Sequence, residues 1–92
     1  MIQSFADEET ETVFKTGTSK RWRNMARVAA RRLQAIDFAS AIEDLRNPPG
    51  NRLEKLKGSR EGWWSIRIND QYRVCFRWDG TDAWDVEIVD YH

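Results

Sequence analysis

Three runs of alternating polarity, GWWSIRI, YRVCFRW and AWDVEIVDY, are joined only by NDQ and DGTD, and no other feature restricts the fold as much. Connections this short force successive strands to turn back on one another, so the runs predict an antiparallel meander. Alternation places Trp64, Ile66 and Ile68 on one face with Tyr72, Val74, Phe76 and Trp78. Trp84, Val86 and Ile88 complete that apolar face, which is the expected core side of the sheet. NRLEKLKG, just before the runs, predicts one more short strand. The opposite face carries Trp63, Ser65 and Arg67, then Arg73, Cys75 and Arg77, then Asp85 and Glu87. It reads either as a wet face with cross-strand ion pairs or as a phosphate-binding surface of arginine forks. Periodicity leaves both open.

The first half of the chain has a different period. MIQSF is apolar enough for a short strand, and DEETETVFKTG follows as a brief helix with acids in its first turn and Gly17 as its stop. Trp22, Met25, Ala26, Ala29, Leu33 and Ile36 recur at three- and four-residue steps and predict an amphipathic helix. Arg23, Arg27 and Arg31 form a row on another side, either a solvated face or an RNA contact. SAIEDL predicts a short helix opened by a Ser40/Glu43 capping box, ended by the prolines of NPPG. No repeat or long linker interrupts the chain, so residues 1–92 are expected to form one α+β domain, its N-terminal helices packed on one face of a mostly antiparallel sheet.

Charge and composition exclude several functions. Net charge is zero, yet Lys20, Arg21, Arg23, Arg27, Arg31 and Arg32 lie in one acid-free stretch, so a polyanion could still bind locally. Cys75 is the single cysteine and cannot form an intramolecular disulfide. MIQSFADEET has neither the basic nor the apolar region of a secretory signal, and no apolar run is long enough to span a bilayer. The expected location is the cytoplasm, with no membrane partner. One histidine and one cysteine cannot supply a zinc set, and the acids lack calcium-loop spacing, so no metal or cofactor is expected. Walker, dinucleotide-binding and serine-hydrolase motifs are missing as well.

What remains is a group of cations, acids and one imidazole that could converge at one end of the sheet. Lys57 lies in the LKG turn, Arg73 begins the second strand of the meander, and DYH follows the last strand. Such a set can cleave a phosphodiester without a metal. One group accepts the 2′-hydroxyl proton, cations steady the charge on phosphorus, and an acid protonates the leaving 5′-oxygen. Only RNA carries the required 2′-hydroxyl. By spacing alone this is one possibility among several.

PPGNRLEKLKGSREGWWSIRINDQYRVCFRW followed by DVEIVDYH resembles the HigB killer proteins, toxins of the RelE/ParE superfamily of toxin–antitoxin modules. The resemblance is strong over residues 48–92 and looser from MIQSF through the helices. It implies a compact RelE-like domain and a ribosome-dependent endonuclease that cuts mRNA in the decoding site of the 70S ribosome. It also implies a HigA-like antitoxin with a helix-turn-helix, through which alone operator DNA would be contacted. Lys57, Arg73, Asp90, Tyr91 and His92 match the family's active-site positions, and Arg67 and Arg77 join Arg23, Arg27 and Arg31 as expected RNA or ribosome contacts. Glu54 departs from the pattern, since some relatives carry histidine there. It is either the general base or a partner for a cation such as Lys57. Two other functions are distinguishable from the nuclease: a ParE-like toxin that inhibits DNA gyrase by binding, and a regulatory RNA-binding protein using the basic helix. DYH and Lys57 favour the nuclease.

Overall fold

The computed structural model describes residues 1–91. Helix α1, Glu8–Thr16, starts where the Asp7 carboxylate accepts the Thr10 N–H at 2.7 Å. It stops at Gly17, whose φ of 72° is open to a residue without Cβ. Helix α2, Ala26–Phe38, buries Ala26, Ala29, Ala30, Leu33 and Ile36. Trp22 and Met25 belong to the same apolar stripe and are buried, although they sit in the turn before the helix. Arg23 lies in that turn too, so the expected basic row is broken: only Arg27 and Arg31 stand on α2.

SAIEDL forms a 3₁₀ turn, Ile42–Arg46, rather than an α-helix. Its cap differs from the expected Ser40/Glu43 box. Asp44 accepts from the Ser40 and Ala41 backbone N–H groups at 3.0 and 3.2 Å, whereas Glu43 pairs with Arg46. The turn starts one residue later than expected, with Ala41 at its N-cap, so the residue three positions on is Asp44 instead of Glu43. Buried Asn51 then ties down the NPPG segment by donating to the Leu45 and Asn47 carbonyls.

Four strands follow: β1 (Glu54–Lys55), β2 (Trp63–Arg67), β3 (Tyr72–Trp78) and β4 (Ala83–Asp90). They form one antiparallel sheet in sequential order, as the short connections require. The helices cover its apolar face. Ile66, Val74, Phe76 and Val86 are fully buried there against Val13, Ala29, Leu33 and Ile36. MIQSF makes two isolated parallel bridges along β4, at Ile2 and Phe5, rather than a regular strand. Past them, the Thr10 hydroxyl of α1 accepts the Ile88 N–H at 3.1 Å. The edge of β4 is thereby covered instead of left open for pairing.

One expected core residue lies on the wrong face. Pairing shifts between Cys75 and Arg77, at a bulge where Asp85 has φ 53°. The extra residue inverts the alternation before it, so Ala83 enters the core and Trp84 faces Arg77 on the outer side. No helix among the described residues is long and apolar enough to cross a membrane.

Candidate active site

The outer face holds an unusual pair. Arg67 of β2 and Arg73 of β3 are directly opposite in the register, an arrangement that repels unless anions compensate. Arg67 is paired with Asp70, at the exposed tip of the β2–β3 loop. Arg73 is sunk into the sheet, 8% exposed, and its guanidinium is pinned along two edges. Nε donates to Ser65 Oγ at 2.9 Å, and Nη2 donates to the carbonyls of Arg52 at 2.6 Å and Ser65 at 3.3 Å. Nη1 meets the Glu54 carboxylate at a loose 3.7 Å. Above the guanidinium lies the ring of Tyr91, 5.8 Å away.

These groups surround a cleft of about 330 Å³, lined by Arg52, Glu54, Arg67, Asn69, Asp70, Arg73 and Tyr91. Arg52 reaches it through a left-handed backbone, φ 44°, that ends the Pro49–Asn51 turn and aims its carbonyl at Arg73. A non-glycine residue held in that region costs on the order of 1 kcal/mol, which the Arg73 hydrogen bond helps offset. Positive charge is concentrated behind the cleft as well. Arg32 of α2 donates to the Arg67 carbonyl at 2.9 Å. Burial first, then Arg67 and Arg31, pull the Arg32 guanidinium below its ordinary value.

The cleft gathers some of the residues expected from sequence and omits others. Glu54, Arg67, Arg73 and Tyr91 line it together. Lys57 is exposed before the turn Gly58–Arg60 and is absent from the lining. Glu54 does not pair with Lys57 as one expectation had it; its partner is Arg73, because Glu54 lies opposite Ser65, the residue that anchors Arg73. Asp90, at the end of β4, accepts from Gln71 and is exposed outside the lining. His92 lies outside the described residues. Arg77 is remote from the cleft, stacked over Trp84 at 5.5 Å and paired with Asp85 at 3.7 Å. Cys75 is buried between Ser65 and Glu87. Arg52, Asn69 and Asp70 were not expected. Loop residues leave no periodic signal, and their approach to Arg73 depends on the register of β2 and β3.

A cleft that gathers a pinned arginine, two more arginines, the carboxylates of Glu54 and Asp70 and an aromatic ring has the chemistry to hold a phosphate and exchange protons near it. The same fold occurs in solved structures. YoeB from Staphylococcus aureus superposes with a TM-score of 0.62 at 22% identity over 99% of this chain and 97% of that one. YafQ from E. coli gives 0.61 at 11% identity over 98% and 93%.

A family model described as "RelE-like toxin of type II toxin-antitoxin system HigB" matches residues 3–92, and the chain belongs to that family. It is similar to the protein named Endoribonuclease HigB from Proteus vulgaris, 36% identical over the whole of both chains. It is also similar to Toxin HigB-1 of Vibrio cholerae, 56% identical over 52 residues that make up 55% of each chain. In a type II system the toxin's counterpart is an antitoxin, and this family is the toxin side.

Proposed function

We infer that this chain is a ribosome-dependent endoribonuclease that stops translation by cutting mRNA, using the substrate's own 2′-hydroxyl as nucleophile. The observation that carries the reading is Arg73: a guanidinium held rigidly on two edges, with its third edge turned to the cleft beside Glu54 and Tyr91. The scissile phosphate displaces Glu54 from Nη1 and binds between Arg73, Arg67 and Arg52. The 2′-oxygen forms a bond to phosphorus as the bond to the 5′-oxygen breaks. One proton leaves the 2′-hydroxyl and another reaches the 5′-oxygen, leaving a 2′,3′-cyclic phosphate and a 5′-hydroxyl. Fixed guanidinium N–H groups stabilise the charge that grows on the phosphoryl oxygens without reorganising.

His92 follows the cleft residue Tyr91 directly in sequence and serves as the proton-transfer group. Glu54 holds Arg73 in place until substrate arrives. Lys57 and Asp90 act from outside the cleft, Lys57 by its charge on the bound strand and Asp90 through Gln71. The antitoxin is HigA-like and carries the contact with operator DNA, and the toxin works in the cytoplasm. Gyrase inhibition is the weaker reading, because the full-length relative from Proteus is named an endoribonuclease.

Primer extension on a translated message after induction tests the class. Codon-phased cuts that vanish without ribosomes are expected; intact message with arrested DNA replication would move the chain to the gyrase class. Arg73→Lys tests the site. It keeps the charge but loses the fork, so single-turnover cleavage at saturating ribosomes is expected to fall by about 10²-fold or more. An unchanged rate would remove Arg73 from the chemistry.

A further inference from the structure

A second groove of about 330 Å³ adjoins the cleft, lined by Lys20, Arg21, Trp22, Arg23, Asn24, Met25, Asn69, Gln71 and Tyr72. Asn69 lines both hollows, so the two lie side by side, with the cleft around Arg73 on one side of Asn69 and the groove toward the turn before α2 on the other. Among the described residues, the groove wall holds three cations, Lys20, Arg21 and Arg23, and no acid. Arg21 is engaged by Glu9 at 3.1 Å, whereas Lys20 and Arg23 are exposed and have no ion pair among the described residues. Asn69 is fixed between the two hollows: its Oδ1 accepts from the Gln71 and Tyr72 N–H groups, both at 2.8 Å, which leaves its NH₂ as the part the turn does not use. Tyr72, half-buried, packs edge-on against Trp22 and stiffens the floor.

We propose that this groove is a subsite for the substrate strand itself, in which Lys20 and Arg23 hold backbone phosphates of the RNA flanking the scissile bond while Asn69 marks the crossing from cleft to groove. The proposal rests on the endoribonuclease reading above and extends it to substrate path. The chemistry suits a single strand. Exposed cations track a flexible backbone without reading sequence, and the amide at the crossing can donate to a phosphate or a base edge. It also separates Arg23 from Arg27 and Arg31, which the sequence had grouped in one row.

The test uses ribosomes programmed with a message carrying a 2′-deoxy nucleotide at the cut site, so that binding is read without cleavage. Wild-type chain is compared with Lys20→Glu/Arg23→Glu and with the neutral pair Lys20→Gln/Arg23→Gln. Losing two phosphate contacts should make the slope of log affinity against log salt shallower by about 1.4, at about 0.7 per contact on a single strand. On cleavable message, the half-saturating ribosome concentration should rise while the saturated single-turnover rate stays within about twofold. Trimming the message close to the cut codon on the side that occupies the groove should erase the difference between wild type and variants. An unchanged salt slope overturns the proposal. So does a difference that survives trimming on both sides, which would assign the groove to ribosomal RNA. Failure of the wild-type chain to cut the all-ribose message would overturn the underlying activity, and is seen before any variant is compared.

Discussion

Glu54 and Arg73 form the ion pair that joins β1 to β3 within the cleft lining. Their 3.7 Å ion pair sits at the cleft surface, with Glu54 57% exposed, so it contributes little to stability and can be broken by an incoming phosphate. On the proposed reading, a carboxylate so placed steadies the guanidinium and gives way when substrate binds. Glu54→Gln should therefore keep cleavage within about tenfold of wild type and retain the acidic limb of the pH–rate profile, read by single-turnover assays. His92→Gln should lose about 10²–10⁴-fold, the usual contribution of a positioned acid–base group, and lose that limb. The reverse pattern would make Glu54 the base and leave His92 incidental.

At the scale of elements, the β3–β4 turn is governed by Asp79. Its carboxylate accepts the Asp82 and Thr81 N–H groups at 2.8 and 2.9 Å and the Trp84 indole N–H at 2.8 Å. The Asp82 hydrogen bond, then those of Thr81 and Trp84, hold it well below the ordinary carboxylate range. A depressed folded-state value means that the stabilisation is complete above the ordinary value of about 3.9 and fades as pH falls below it. Asp79→Ala should lower Tm near neutrality, and the gap to wild type should narrow between about pH 4 and pH 2. A gap independent of pH would mean that shape, not charge, sets the turn. The same turn holds Trp84 on the outer face, next to the bulge at Asp85. Alternation alone could not place that tryptophan, because a single inserted residue inverts the face of everything on one side of it.

For the whole molecule, the net charge of zero conceals a polarity that matters more than the total. Arginines from β2, β3, the Pro49–Asn51 turn and α2 meet around one end of the sheet, while α1 carries its acids in the first turn. Arg27 and Arg31 extend the positive region along the exposed side of α2. Reversing both to Glu should weaken ribosome binding and flatten its salt dependence, with the saturated cleavage rate unchanged. Binding that keeps its affinity and salt slope would leave these two residues as a solvated face.

The period-two runs and the three- to four-residue stripe were sufficient to specify strands, helices and most of the core. Those patterns follow from local backbone geometry, which repeats identically wherever the residue types allow it. Ile66, Val74, Phe76, Leu33 and Ile36 were all legible in this way. Arg73 could be picked from the YRVCF motif, but not its burial, nor its grip on Ser65 and the Arg52 carbonyl. Pairing Glu54 with Arg73 instead of Lys57 needed β1 to be set against β2 and β2 against β3. The sequence by itself determined which segments are helix and sheet and which charged motifs are candidates for the chemistry. Only the tertiary structure decided which charges face one another, because strand register and loop path bring together residues far apart in the chain, and electrostatic energy depends on that distance in space rather than on separation in sequence.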